Sequence, residues 1–349
     1  MHAAAEIPHL SASIRDMMST CGAFARSLYS YHVDGSPRPF SASLAITNHC
    51  NLRCDYCNAP FMAPGGLPLE KLELLFDRLY AIGIRRLGLF GGEPLVRKDC
   101  EDVARAAKAR GFYVSINSNL NLYDRFPGVF DHVDIVMTSI DGHRELHEEG
   151  RGKGSFDGVI AGVRDLRRRG KKVVAICVVR DEALGRLDEA LEVSASLGID
   201  VHFQPRSVDG RRARGALEET VDNDRRRAAW RHLLERKRAG APVASSVFYL
   251  EHMMRWQDFS TTALFDPEQR CAAGHGFMFV DPHGNAYPCG FIEGQVEPFD
   301  MLADGWDALR FPKPPCTTCA VGPYVEFNQL FRHPLTAPIA AARTYLRGH

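Results

Sequence analysis

The chain has 349 residues, 45% hydrophobic and 25% charged, enough for one large domain or two unequal ones of ordinary globular composition. Its 43 Lys and Arg residues cancel 43 Asp and Glu residues, so bulk attraction to nucleic acid or an anionic membrane is not indicated, although a local basic groove stays open. No apolar run approaches the roughly 20 residues that span a bilayer, and an N-terminus with Glu6 and no long apolar core does not read as a signal peptide; the expected location is cytoplasmic.

Residues 1–38 carry an amphipathic stretch from Ser11 to Tyr31, which predicts a helical extension ending at a turn around Gly35-Ser36-Pro37. Over residues 39–208, short β-branched or apolar runs alternate with longer helical patterns, the signature of repeated βα units on a parallel sheet. Strands are predicted at Ser41–Ile46, Arg86–Phe90, Tyr113–Asn117, Ile135–Ser139, Val173–Val178 and Asp200–Gln204, and helices at Leu67–Ile82, Lys98–Arg110, Phe156–Arg169 and Leu184–Leu197. Gly83, Gly111, Gly170 and Gly198 follow those helices where left-handed caps belong. Six such units make an α/β fold, an open, partial (β/α)6 TIM barrel, and chemistry is expected on the loops after strand C-termini. Residues 209–264, charged from Asp209 to Lys237, predict an exposed helical connector whose charges form a solvated face. Residues 265–349, where Gly, Pro and Cys fall in irregular runs, read as a small metal-organised module with a C-terminal tail.

Ten cysteines are too many for core filler and too unevenly spaced for a disulfide framework. Cys21, Cys100 and Cys177 lie alone and read as structural; seven others form two groups. Cys50, Cys54 and Cys57 follow the first strand on one short loop. Three thiolates can hold three irons of a four-iron cluster and leave the fourth open to substrate or cofactor. Zinc is the alternative, but a structural zinc site wants a fourth ligand, and the neighbouring His49 points away from Cys50 in extended chain. Cys271, Cys289, Cys316 and Cys319, separated by 17, 26 and 2 residues, can close all four positions of a cluster or of a zinc site. After the second strand, Gly91-Gly92-Glu93-Pro94 combines glycines that allow close backbone approach with a carboxylate suited to an amine, or forms a plain Gly-Gly turn. The third strand ends in Asn117-Ser118-Asn119-Leu120. The fourth ends in Ser139-Ile140-Asp141-Gly142, followed by His147 and Arg151-Gly152; Asp141 could equally cap the next turn.

In this order over residues 40–205, these motifs resemble the radical S-adenosylmethionine (radical SAM) superfamily, whose CxxxCxxC loop matches Cys50, Cys54 and Cys57. The resemblance implies a [4Fe-4S] cluster on those three cysteines and S-adenosylmethionine (SAM) as its partner. Gly91, Gly92, Glu93 and Pro94 would meet the methionine amine, Tyr56 the adenine, Ser139 the ribose or methionine part, and Arg180 the carboxylate. Related enzymes often carry Thr-Asn-Gly where the third strand ends here, so Asn117 and Asn119 join the candidate contacts, with Ser118 and Asn119 standing for Thr-Asn and Leu120 replacing the glycine. The stretch Asp281 to Cys289 is similar to the start of a SPASM module or the shorter twitch module. No cysteine lies between Ala320 and His349, which fits the twitch form with one auxiliary [4Fe-4S] cluster on the four C-terminal cysteines.

The chemistry implied by the resemblance is reductive cleavage of SAM to a 5′-deoxyadenosyl radical, which abstracts hydrogen from the substrate. A reductant such as flavodoxin or ferredoxin would supply the electron. An auxiliary cluster with every iron ligated favours electron acceptance, hence net oxidation, with His202, Arg206 and Asp209 nominated as base. Redox-neutral epimerisation, with Cys177 returning hydrogen, stays an alternative. Fewer than 40 residues precede the first strand, too few for a leader-binding domain, so a small-molecule biosynthetic intermediate is expected ahead of a peptide. The alternative from another class is a non-catalytic iron–sulfur redox protein, against which the Gly91–Pro94 motif argues.

Overall fold

The computed structural model describes residues 8–57, 59, 62, 64–206, 222–303 and 309–334, with side chains from residue 18 onward. Six strands, β1 (Ser41–Thr47), β2 (Arg86–Gly91), β3 (Tyr113–Asn117), β4 (Ile135–Ser139), β5 (Lys172–Val179) and β6 (Asp200–Pro205), pair in parallel and in sequence order. Their outward rows, including Leu44, Leu89, Ile116, Val136, Ala175 and Phe203, are fully buried in the main core. Helices α2 (Leu69–Ile82), α3 (Cys100–Ala109), α4 (Arg144–Arg151), α5 (Ser155–Arg168) and α6 (Leu187–Ser196) lie in the connections, as parallel crossovers demand. On α2, Leu72, Leu75, Phe76 and Leu79 form the buried stripe at three- and four-residue spacing, each side chain contributing about 1.5–3 kcal/mol. Gly83 ends the helix at φ 110°, and Gly111, Gly170 and Gly198 also take positive φ. Between Ala45 and Thr47 the β1–β2 register slips, where the chain leaves the sheet to form the first cysteine loop.

The C-terminal segment is not set apart from the barrel. Helices α7 (Asn223–Arg238) and α8 (Val247–Arg255) lead into β7 (Ala263–Leu264), followed by β8 (Phe277–Val280), β9 (Asn285–Tyr287) and β10 (Phe299–Asp300). Strand β8 pairs in parallel with β1, and the other two continue antiparallel, giving the sheet order β10-β9-β8-β1-β2-β3-β4-β5-β6. At the opposite edge, Val201 donates its N–H to Pro242 and accepts from Ala244. Both margins of the six-stranded barrel thus gain backbone partners from the C-terminal segment. β11 (Thr318–Cys319) pairs with β7, and α9 (Gly322–Arg332) follows it.

The charged connector has one buried side. Ala229, Trp230, Leu233 and Leu234 of α7 are in the core, and Arg226 pairs with Asp181 at 2.8 Å while donating to the Phe259 carbonyl. Helix α1 (Pro8–Tyr29) and the segment after it dock on the C-terminal segment, where Phe24, Tyr31 and Phe40 meet Phe331 and the Tyr31 hydroxyl donates to Arg270 O at 3.0 Å. Among the described residues, no helix is long and apolar enough to cross a membrane.

Candidate functional site

The Cys50–Cys57 loop leaves the C-terminal end of β1 and is held from several sides. Cys57 N donates to Cys54 O at 3.1 Å, Leu52 N to Cys50 Sγ at 3.4 Å, and Asp55 N to Gly150 O of α4 at 3.0 Å. Burial pushes the Cys50 thiol up to about 11 and also raises Cys54, so a bound cation is needed to favour the thiolates. Among the described residues, no three Cys, His, Asp or Glu side chains form a group fit for a single metal ion. The donor set, three thiols on one loop, is of the kind that suits an iron–sulfur cluster.

Gly91 and Gly92 make room for this loop. A Cβ on Gly91 would collide with Thr47 O and one on Gly92 with His49 O, while Gly92 N and Glu93 N each donate to those same carbonyls at 2.8 Å. The Glu93 carboxylate turns inward. Its Oε1 accepts from Leu95 N at 3.0 Å and Ser118 Oγ at 2.7 Å, its Oε2 from Asn119 N at 2.7 Å, and burial pushes its pKa up to about 7. This buried carboxylate therefore ties β2 to β3, and Pro94 behind it opens a short helical turn. Asn119 Nδ2 reaches Asn51 Oδ1 at 2.9 Å on the cysteine loop, and Asn117 is exposed at the end of β3.

Leu120 occupies the place of the family's glycine and still adopts the glycine conformation. At φ 58° it is the only non-glycine residue with positive φ among the described residues, at a typical cost of about 1–2 kcal/mol. Its side chain is buried against α5 at Gly162, where an added Cβ would stand 3.1 Å from Leu120 Cβ. The turn is kept, with its space supplied by a neighbouring helix.

Asp141 joins the fourth strand to the loop. Its carboxylate pairs with Arg151 Nε at 2.6 Å, accepts from Val178 N at 3.0 Å, and receives the Tyr56 hydroxyl at 3.2 Å. Burial acts to raise the Asp141 pKa, but the Arg151 charge and hydrogen bond outweigh it and hold the carboxyl below its usual range. Burial likewise pushes His147 down to about 4, leaving it neutral beside this pair. Tyr56, expected beside the adenine, thus has its hydroxyl on Asp141 and its ring 5.4 Å from the Arg151 guanidinium.

Arg180 is 1% exposed and ties Asp55 at 3.1 Å to Leu146 O at 3.0 Å, stacked where Gly150 lacks a Cβ. Its Nε is buried without a partner among the described residues. Ser139 ends β4 half-buried, in the cross-strand row with Ile176 and His202, and its hydroxyl has no partner among the described residues. His202 Nδ1 meets Ser245 Oγ at 3.0 Å, and its Nε2 is enclosed against Gly322 without a partner. Arg206 follows β6; Asp209 lies outside the described residues. Cys177 belongs to the outward row of β5 and is buried, as is Cys100, whereas Cys21, read as structural, is exposed.

The second cysteine group comes together. Cys271 precedes β8, Cys289 follows β9, and Cys316 and Cys319 lie at β11, yet all four line one enclosed cavity walled by Phe277, Phe291 and Tyr324. Burial raises Cys271 and Cys319 and pushes Cys289 up to about 12 and Cys316 up to about 11. N–H groups already face these sulfurs, among them Phe291 N on Cys289 at 3.4 Å and Asn328 Nδ2 on Cys271 at 3.6 Å. Phe277 is in register with Ser41 at the start of β1, so about 20 Å of strand rise separates this level from the first loop.

Sequence reasoning did not find Asn51, Asp55 or Gly150 as supports of the first thiol group. The Gly150-Arg151-Gly152 spacing was the available signal for α4; the others are polar groups whose partners lie far along the chain.

Residues 44–193 match the Radical SAM superfamily, so this part of the chain is a radical SAM domain. The chain is 29% identical to the pre-heme d1 synthase of Dinoroseobacter shibae, over 82% of this chain and 80% of that one. It is 26% identical to the mycofactocin maturase MftC of Mycolicibacterium smegmatis, over 78% of this chain and 69% of the relative. Streptococcus suis SuiB bound to S-adenosylmethionine shares the fold with a TM-score of 0.62 at 14% identity, over 83% of this chain and 69% of that chain.

Proposed function

We propose that this chain, with its radical SAM domain at residues 44–193, oxidises a small-molecule biosynthetic intermediate by hydrogen-atom abstraction. An auxiliary [4Fe-4S] cluster on Cys271, Cys289, Cys316 and Cys319 would accept the remaining electron. The observation that carries this reading is the convergence of four sequence-distant thiols on one apolar cavity, at the opposite end of β1 from the three-thiol loop. When bound, a [4Fe-4S] cluster on Cys50, Cys54 and Cys57 and its SAM supply the electron and the 5′-deoxyadenosyl radical that the chemistry needs.

The chain's own residues position and exclude. Arg180, Asn119 and α4 fix the cysteine loop, and Glu93 fixes the β2 and β3 ends beside it. Ser139 offers a hydroxyl from the inner rim, and Tyr56 presents a ring held by Asp141. Phe90, Met137, Val174 and Ile176 lie along the inner rows and supply an apolar wall that keeps water from a reactive radical. Cys177 faces the helices, which weakens it as a hydrogen donor and favours oxidation over epimerisation.

The similarity to a pre-heme d1 synthase supports a small-molecule substrate; the similarity to a mycofactocin maturase favours a peptide as the second reading. Anaerobic incubation with SAM, dithionite and deuterated candidates separates them. Label passing into 5′-deoxyadenosine from a small molecule supports the first reading, label only from peptides moves the assignment to the second, and intact SAM refutes both.

A further inference from the structure

The cross-strand row Ser139–Ile176–His202 crosses the inner face of the barrel and ends against the C-terminal segment. There the His202 ring stacks on Tyr249 of α8, with centroids 5.4 Å apart and planes 20° from parallel. Tyr249 is fully buried, its ring meets Trp230 edge-on at 5.7 Å, and its hydroxyl donates to Ala320 O at 2.9 Å. One turn along α8, His252 Nε2 stands 2.9 Å from Cys319 O. Two side chains of one helix therefore hold the consecutive carbonyls of Cys319 and Ala320, directly behind a thiol of the auxiliary cavity.

The hydrogen bond with Ser245 Oγ accounts for one ring nitrogen of His202 and leaves the other unexplained. Its Nε2 is buried without a partner, a typical cost of about 1–3 kcal/mol, and Gly322 gives up a side chain to admit the ring, since a Cβ there would collide with Nε2. The imidazole forms a flat contact between the inner face of β6 and the residue that grips Ala320.

We propose that Tyr249, backed by His202, is a positioning residue that sets the reduction potential of the group held by Cys271, Cys289, Cys316 and Cys319, with His252 acting on the adjacent carbonyl. This inference rests on the reading of those thiols as an iron–sulfur site. The hydroxyl donated to Ala320 O, and the imidazole N–H donated to Cys319 O, place positive partial charge behind an anionic centre. That charge makes reduction easier.

The test uses the full chain with Cys50, Cys54 and Cys57 replaced by Ala, so that one centre remains, and reads iron content and the midpoint potential by an EPR-monitored redox titration. In that background, Tyr249→Phe keeps the ring on His202 and removes only the hydroxyl. The expected result is undiminished iron with a potential lowered by about 59 mV, a tenfold shift of a one-electron equilibrium. His252→Leu should lower it in the same direction, and His252→Gln, which keeps a donor, should restore it. Unchanged potentials in Tyr249→Phe and His252→Leu overturn the inference while leaving the cluster reading intact. If the parent chain retains no iron, the cluster reading itself fails, and the inference with it.

Discussion

Asp141→Asn tests whether the cysteine loop is held by a buried charge pair. The Asp141 side chain is fully buried and Arg151 is 8% exposed, so the variant leaves a guanidinium with its counter-charge removed and no water to replace it. Loss of one member of such a pair typically costs about 3–5 kcal/mol, against a total folding stability of about 5–15 kcal/mol. The double variant Asp141→Leu with Arg151→Met removes both charges. Its expected loss is smaller, about 1–3 kcal/mol, because the remaining defects are two donors, Val178 N and the Tyr56 hydroxyl, that lose their acceptor. Urea titration of the three proteins at pH 7 reads these differences, and iron content after reconstitution reports the loop itself through Tyr56. A single-variant loss below about 1 kcal/mol, or a double variant no more stable than Asp141→Asn, would refute the assignment of this pair as the loop's anchor.

Other outcomes follow from the same geometry. Glu93 has its pKa raised by burial from 4.5 to about 7, so the folded chain binds a proton that the unfolded chain has released. Its stabilising contribution is present below about 4.5 and lost as pH rises through about 7; Glu93→Gln should flatten stability across that window in pH-dependent urea titrations. Gly92→Ala places a methyl group on His49 O and should abolish iron binding at the first loop while sparing the C-terminal centre, as read by Mössbauer spectroscopy. Replacing Cys316 should leave SAM cleavage measurable by chromatography but end formation of an oxidised product, and unchanged product would remove the auxiliary redox role.

The parallel core was legible because its signals are local. β-branched runs alternate with amphipathic helices, and strands Tyr113–Asn117 and Ile135–Ser139 stand where the residue pattern puts them. Helix α4 was missed because Leu146 is its one large apolar side chain; its buried side is completed by His147, Gly150 and Arg151, which polar partners hold inside. The strand Phe277–Val280 lacks alternation because all four residues are buried, so period gives no strand signal, and its pairing with β1 joins residues more than 200 positions apart. The thiols were legible as two groups from spacing, whereas the inward turn of Glu93 and the tying of Arg180 to Asp55 depend on contacts no spacing encodes.

The central claim is that the loop of Cys50, Cys54 and Cys57 holds a cluster able to bind and cleave SAM. Anaerobic reconstitution followed by dithionite and SAM tests it most directly, with EPR and product chromatography on the same sample. The account predicts a reduced-cluster signal that changes on SAM addition, with 5′-deoxyadenosine accumulating, both lost when the three cysteines are replaced by Ala. A spectrum indifferent to SAM, with SAM recovered intact, would contradict it.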